Sequence, residues 1–248
     1  MFPGAAADRE SADYALVGAP LDRSTSFRPG TRFGPRRIRH HAGGFEDFDH
    51  RTGAKFTDRS VYDHGDVGPT ADAAEYLDFL TGTLSDLREE GATPLLVGGE
   101  HTVTVASVRA VDPDVYVCLD AHLDLRESYA GDPLSHATVT RHALAVADRA
   151  VLLGARAGSE AEWERAAEAD VTVVPPEDVA EWSPDLPGTG TPEPFGIAPS
   201  EGRRLVSAVA SACEGFDVVE VNDRDDGQAA TLAAKLLRRF VHDHAAEG

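Results

Sequence analysis

The sequence predicts an α/β protein with a doubly wound, mainly parallel sheet. Short apolar runs rich in Val, Ile, Leu and Tyr recur along the chain, and stretches of helical period lie between most of them. That alternation builds βαβ units, whose buried parallel strands read as continuous apolar runs. A length of 248 residues with 42% hydrophobic content suffices for one core of this class, so residues 1–248 are expected to form a single domain.

In chain order, the strands are expected at residues 14–19, 94–97, 115–119, 151–154, 171–174 and 216–221. Helical periodicity predicts helices over 71–90, 102–110, 135–147, 160–169, 200–212 and 226–244, the last with Leu232, Leu236, Leu237 and Phe240 on one stripe. Two regions break the rhythm. Residues 23–49 are polar, punctuated by Gly and Pro and rich in Arg and His, and residues 175–200 contain seven prolines. Long irregular loops in a compact domain tend to carry function.

The formal net charge is −20, with 43 acidic against 23 basic residues spread over the whole length. That balance argues against nucleic acid as a partner. Only Lys55 and Lys235 are lysines, and an acidic, Lys-poor surface is what keeps a protein hydrated in concentrated salt, so a halophilic source is expected. Cys118 and Cys213 offer no disulfide framework, and Cys118 lies in an apolar run where a buried thiol is the simplest reading. No leader-like segment or run of about 18 apolar residues appears. A cytoplasmic protein that does not engage membranes is expected.

The chemistry concentrates at two strand ends. Val115-Tyr116-Val117-Cys118-Leu119 runs directly into Asp120-Ala121-His122-Leu123-Asp124, and ligands of open α/β sheets bind at the carboxyl ends of strands. On extended backbone, positions i, i+2 and i+4 share a side, which would aim Asp120, His122 and Asp124 at one point. A second strand end, Gly98-Gly99-Glu100-His101, delivers another imidazole; its paired glycines permit close backbone approach. Two imidazoles and two carboxylates suit a divalent metal, and this oxygen-rich mixture favours manganese over zinc. Two such ions about 3.5–4 Å apart could share and deprotonate one water, which makes hydrolysis the implied reaction class.

These residues are where the chain resembles the ureohydrolases, the arginase and agmatinase superfamily, and agmatinases most of all. Gly18-Ala19-Pro20-Leu21-Asp22 with Phe27-Arg28-Pro29-Gly30-Thr31-Arg32-Phe33-Gly34-Pro35 is similar to the N-terminal signature, residues 98–101 to the first metal motif and residues 120–124 to the second. Leu134-Ser135-His136-Ala137-Thr138 and Val219-Glu220-Val221-Asn222 resemble the stretches with the active-site histidine and the substrate glutamate. The resemblance implies a three-layer α/β/α arginase-like fold, and His101, Asp120, His122 and Asp124 as ligands of two Mn2+ ions. It also implies His136 as proton shuttle to the leaving amine and Glu220 as anchor of a small cationic guanidino substrate. Asp124 and a metal-bridging hydroxide would complete the catalytic set. Urea and putrescine from agmatine, and a homo-oligomer of three or six chains, follow from the same likeness.

One motif is missing. The family's Ser-x-Asp-x-Asp-x-x-Asp-Pro strand has no counterpart here; a block appropriate to one strand and its flanks is lacking between Trp182 and Pro187. The sheet is therefore expected to lack one interior strand, and the centre to keep four protein ligands, with Asp185 in a Pro-bracketed loop as the nearest spare carboxylate. Asn222-Asp223-Arg224 also departs from the family's Asn-Pro. Alternative readings are a catalytically impaired ureohydrolase-like protein with a binding or regulatory role, and a hydrolase of a related guanidino or formimino compound.

Overall fold

The run YALVGA forms the first strand, β1 (Tyr14–Ala19), and all six residues are buried, as a central strand covered on both faces requires. Helix α1 (Gly34–Ala42) follows, then the short strands β2 (Phe48–Asp49) and β3 (Ala54–Lys55), and β4 (Val61–Asp66). Next come α2 (Ala73–Glu89), β5 (Thr93–Gly98), α3 (Thr104–Val111), β6 (Val115–Leu119) and α4 (Val139–Ala143). The chain continues through β7 (Arg149–Leu153), α5 (Glu160–Ala166), β8 (Val171–Val174), α6 (Pro176–Val179), α7 (Pro199–Val209), β9 (Phe216–Val218) and α8 (Gln228–His244). This computed structural model describes residues 1–179, 196–222 and 224–246. The block boundary at Trp182–Pro187, Asp185 and Asp223 lie outside the described residues.

Alternation along β1 and β5 makes the layers. Tyr14, Leu16, Leu95 and Val97 pack with Ile38 of α1, Val206 of α7 and the Ala230–Leu237–Phe240 face of α8. Ala15, Val17 and Leu96 point the other way, onto Tyr76, Leu77, Leu80 and Leu84 of α2 and Ala106 of α3. Helix α2 begins at Asp72, whose side chain accepts the backbone N–H of Glu75 at 3.0 Å, an N-cap that satisfies a donor the helix leaves free. Among the described residues no helix is long and apolar enough to cross a membrane.

All the long strands pair in parallel, but in two pieces: β4-β1-β5-β9 and β6-β7-β8. Among the described residues no ladder joins β9 to β6. The break coincides with a second irregularity, because Val117 and Leu119 of β6 are 38% and 44% exposed where parallel sheets are ordinarily covered. A cavity of about 190 Å³ opens beside it, lined by Leu119, Asp120, Ile197, Leu232 and Leu236 among others.

Three elements differ from expectation. Helix α1 lies inside the region read as loop, because only Ile38 and Ala42 mark its apolar stripe amid arginines and histidines. Strand β4 was missed because Asp63, His64 and Asp66 hide it. The two omissions share one cause: buried Arg39 of α1 grips Asp63 of β4 through Nε at 2.9 Å and Nη2 at 2.8 Å. Arg39 also binds Asp66, and the backbone N–H of Phe2 donates to Asp63. The expected helix over 135–147 is a 3-10 turn at His136–Thr138 followed by the short α4.

Gly99 laces the strand ends together. Its N–H donates to Ala19 at 2.7 Å, its carbonyl accepts from Glu220 at 2.8 Å, and the next N–H, of Glu100, donates to Leu21 at 2.8 Å. A Cβ here would stand 1.9 Å from the Leu21 carbonyl oxygen, a clash with backbone that no rotamer relieves. Gly99→Ala is expected to destabilise the protein by about 1–3 kcal/mol, as overpacking does, which denaturant unfolding would detect.

Candidate metal centre

His101 stands just beyond β5 on a 3-10 turn, 4% exposed. Its Nδ1 lies 2.7 Å from Asp124 Oδ2 and 3.2 Å from Asp120 Oδ2. The expected convergence of both carboxylates on this imidazole is therefore present, but the route differs from simple alternation. Strand β6 ends at Leu119, and Asp124 turns in through a left-handed backbone, φ 51°. That conformation is uncommon outside glycine, with Asp among the residues that tolerate it. Nor does His122 join the same point. Its Nδ1 is 3.4 Å from the other oxygen of Asp120, Oδ1, which also accepts the His122 backbone N–H at 2.9 Å. Asp120 thus bridges the two imidazoles, one on each carboxylate oxygen.

Two carboxylates facing one imidazole, Asp124 buried and Asp120 partly so, call for a positive charge between them. Burial opposes charging of His101, but Tyr116, Cys118 and then Asp120 and Asp124 outweigh it and raise its pKa well above the ordinary value. Burial pushes Asp124 up, whereas at Asp120 it is overcome by the hydrogen bonds from His101 and His122, which hold that carboxyl low. A divalent ion would satisfy the same need. The donor set fits one ion at His101; for a second, the described residues gather only His122 and Asp120.

The opposite edge of His101 was not anticipated. Its Nε2 lies 3.2 Å from the Tyr116 hydroxyl and 3.8 Å from Cys118 Sγ. Cys118 is buried, as expected, in the core cluster with Val108, Tyr116 and Leu152, and its sulfur also meets the centre. Alternation already contained that signal, since Tyr116, Cys118 and Asp120 occupy i, i+2 and i+4.

Glu220 reaches the centre from beyond β9. Its backbone is left-handed, φ 61°, and Oε1 accepts the His101 backbone N–H at 2.8 Å. Oε2 is buried with no hydrogen-bond partner among the described residues. Burial pushes this carboxyl up to about 8 despite the His101 bond, so a cationic guest would repair a real deficit. His136 sits half-buried, its ring 5.1 Å from that of Tyr129. Its Nδ1 lies 3.0 Å from Ser24 Oγ, and its own backbone N–H donates to that oxygen, also at 3.0 Å. Burial lowers its pKa, with Glu100 pulling the other way.

Glu100 and Ser24 were not singled out in the sequence. Buried Glu100 accepts from the Ser24 N–H at 2.6 Å, the Ser24 hydroxyl at 2.8 Å, Thr102 at 2.6 Å, and the Arg23 N–H. It ties the 23–49 segment to the end of β5 and so sets Ser24 against His136. Asp22, part of the N-terminal signature, accepts the Gly30 N–H at 2.6 Å and folds that loop on itself. His101, Asp120, His122, Asp124, Glu220 and His136 thus lie in one network at the carboxyl end of the sheet.

The Arginase family model matches residues 12–186 and 184–242. The chain belongs to the arginase family. As a member it is similar to the agmatinase of Pyrococcus horikoshii, 32% identical over 93% of this chain and 91% of that one. The N(1)-aminopropylagmatine ureohydrolase of Thermococcus kodakarensis is 33% identical over 92% and 89% of the two chains. Among solved structures, the agmatine ureohydrolase of Thermoplasma volcanium superimposes with a TM-score of 0.92 at 30% identity, covering 99% of this chain and 94% of that one. This arginase-family chain is accordingly a hydrolase of C–N amidino bonds with the arginase-like fold. The Pyrococcus alignment runs over 258 positions, more than the 248 residues present here, so that relative carries residues with no counterpart in this chain.

Proposed function

We propose that this chain is an amidinohydrolase of agmatinase type that uses manganese to split agmatine into urea and putrescine. The observation that carries the reading is Glu220: a buried carboxylate with one oxygen unpartnered, bonded through the other to the backbone of the histidine on which Asp120 and Asp124 converge. A guanidinium is planar and cationic and pairs with carboxylates through parallel N–H bonds. Glu220 would hold it there.

The rest of the chemistry falls to named side chains. His101, Asp120 and Asp124 would hold the ion, with His122 on the far oxygen of Asp120; the ion would supply a water acidic enough to attack the guanidinium carbon at neutral pH. Attack adds oxygen to that carbon, and the bond from it to the chain-bearing nitrogen breaks. The departing amine needs a proton, which His136 would deliver. Its lowered pKa leaves the imidazole neutral, so it would first take that proton from the attacking water, and Ser24 orients the ring. Glu100 fixes Ser24 and with it the ring.

Purified chain in molar salt with added Mn2+ should release urea and putrescine in equal amounts from agmatine; a folded sample that yields no urea sinks the proposal. Glu220→Gln should lower kcat/KM roughly 10²- to 10³-fold, the kinetic equivalent of breaking a buried charge pair at about 3–5 kcal/mol. A second reading is favoured by one observation: the described residues gather donors at metal-binding spacing around His101 alone, enough for one ion and not two. On that reading the chain keeps the fold and Glu220 as a binding or regulatory module. It then shows no turnover with one ion bound.

A further inference from the structure

We propose that Cys118 is a ligand of the metal centre, so that His101, Cys118 and Asp120 together hold one divalent ion and bind sulfur-seeking zinc or cobalt more tightly than the manganese proposed for turnover. The inference rests on reading the centre as a metal site and concerns which ion this chain selects. Among the described residues, these three form the one set of His, Cys, Asp or Glu whose ligand atoms all lie within 4.8 Å of one another. Strand β6 explains the convergence. Its alternation turns Tyr116, Cys118 and Asp120 toward His101, while Val117 and Leu119 face away and stay exposed.

The distances suit a metal. Tetrahedral zinc with bonds of about 2.3 Å to sulfur and about 2.0–2.1 Å to nitrogen sets the two donors about 3.5 Å apart. Cys118 Sγ and His101 Nε2 are 3.8 Å apart, a gap that a small side-chain rotation closes. Asp120 meets Nδ1 of the same ring and Cys118 meets Nε2, so the ring would turn to set one nitrogen between both donors. On binding, the thiol gives its proton to solvent and the sulfur contributes a full negative charge. That charge matters in a centre where the described residues bring only Asp120 and Asp124 to His101. Thiolate is a soft donor, which selects zinc or cobalt; manganese prefers oxygen.

The test uses the full-length chain, stripped of metal by a chelator and refilled with Co2+ or Zn2+. With Co2+, a thiolate-to-metal charge-transfer band should appear in the near ultraviolet. Zn2+ should shield Cys118 from a thiol reagent, and Mn2+ at the same concentration should not. Cys118→Ser should abolish the band and weaken zinc binding by at least the roughly 10- to 100-fold that even an outer-shell change costs; Cys213→Ser should leave both intact. Cobalt that binds without the band, or zinc that leaves Cys118 reactive, overturns the role of Cys118 while sparing the metal reading. Calorimetry that detects neither ion binding overturns both.

Discussion

Asp120→Asn should abolish metal binding and urea release together. The substitution keeps the shape of the side chain and removes the charge that both imidazoles share, since Asp120 meets His101 through one oxygen and His122 through the other. An amide offers an acceptor at one position only, so it cannot serve His101 and His122 alike. With a metal ligand and the common counter-charge gone, kcat should fall by about three orders of magnitude or more. Loss of a single electrostatic partner costs about 10²–10³, and here the activating ion goes too. Titration of Mn2+ and Zn2+ into the variant, alongside the urea assay, measures both effects. Wild-type metal affinity in the asparagine variant would move the centre elsewhere.

Arg39→Ala should be the most damaging change away from the centre, at about 3–5 kcal/mol, the loss expected when one partner of a buried ion pair is removed. Arg39 and Asp63 have side chains only 9% and 1% exposed, so deletion strands a carboxylate in the core between α1 and β4. The pH dependence should change sign. Burial alone would raise Asp63, but the bonds and charge of Arg39, with the Gly65 and Phe2 N–H groups, hold it below its ordinary value. A carboxyl depressed on folding stabilises above its unfolded pKa of about 3.9, and that stability is lost as pH falls through the folded value. In the variant, Asp63 keeps the burial and loses the guanidinium. Its folded pKa then lies above the unfolded one, and acidification from neutrality should stabilise. Unfolding by denaturant at constant salt between pH 2 and 7 would distinguish the two, since the wild type loses this stability only below about pH 4–5 and the variant gains it on acidification from neutrality.

The same ion pair explains what was legible in the sequence and what was not. Strands β1, β5, β6 and β8 announce themselves because their residues are apolar on one or both faces. Strand β4 is invisible to that logic: its Asp63 is buried only because Arg39 arrives from a helix 24 residues earlier. Helix α1 is invisible for the converse reason. Its signature is a buried arginine.

At the centre, the strand-end positions of His101, Asp120 and Asp124 followed from sheet geometry alone, yet the approach of Asp124 depends on a left-handed turn that no periodicity encodes. Glu220 and His136 were legible only through likeness to the ureohydrolases. Nothing local in Val219-Glu220-Val221 reveals a carboxylate bonded to the backbone of a residue 119 positions away. Cys118 was legible as a buried thiol, and it is buried; its contact with His101 was not read. Its alternation with Asp120 placed it on the centre, but a small thiol in an apolar run is ordinarily inert packing. Glu100 and Ser24 were hidden because their partners come from a loop whose conformation is set by the bonds themselves.

The break between β9 and β6 bears on how many ions the centre holds. The sheet is divided among the described residues, and the exposed face of β6 flanks the division. The consequence is a centre built from two strand ends and Glu220. Elemental analysis of the full chain, purified with divalent metal and dialysed against metal-free buffer in molar salt, tests this most directly. One ion retained per chain, and none in His101→Ala, is the predicted result. A folded wild-type chain that retains no metal would contradict it.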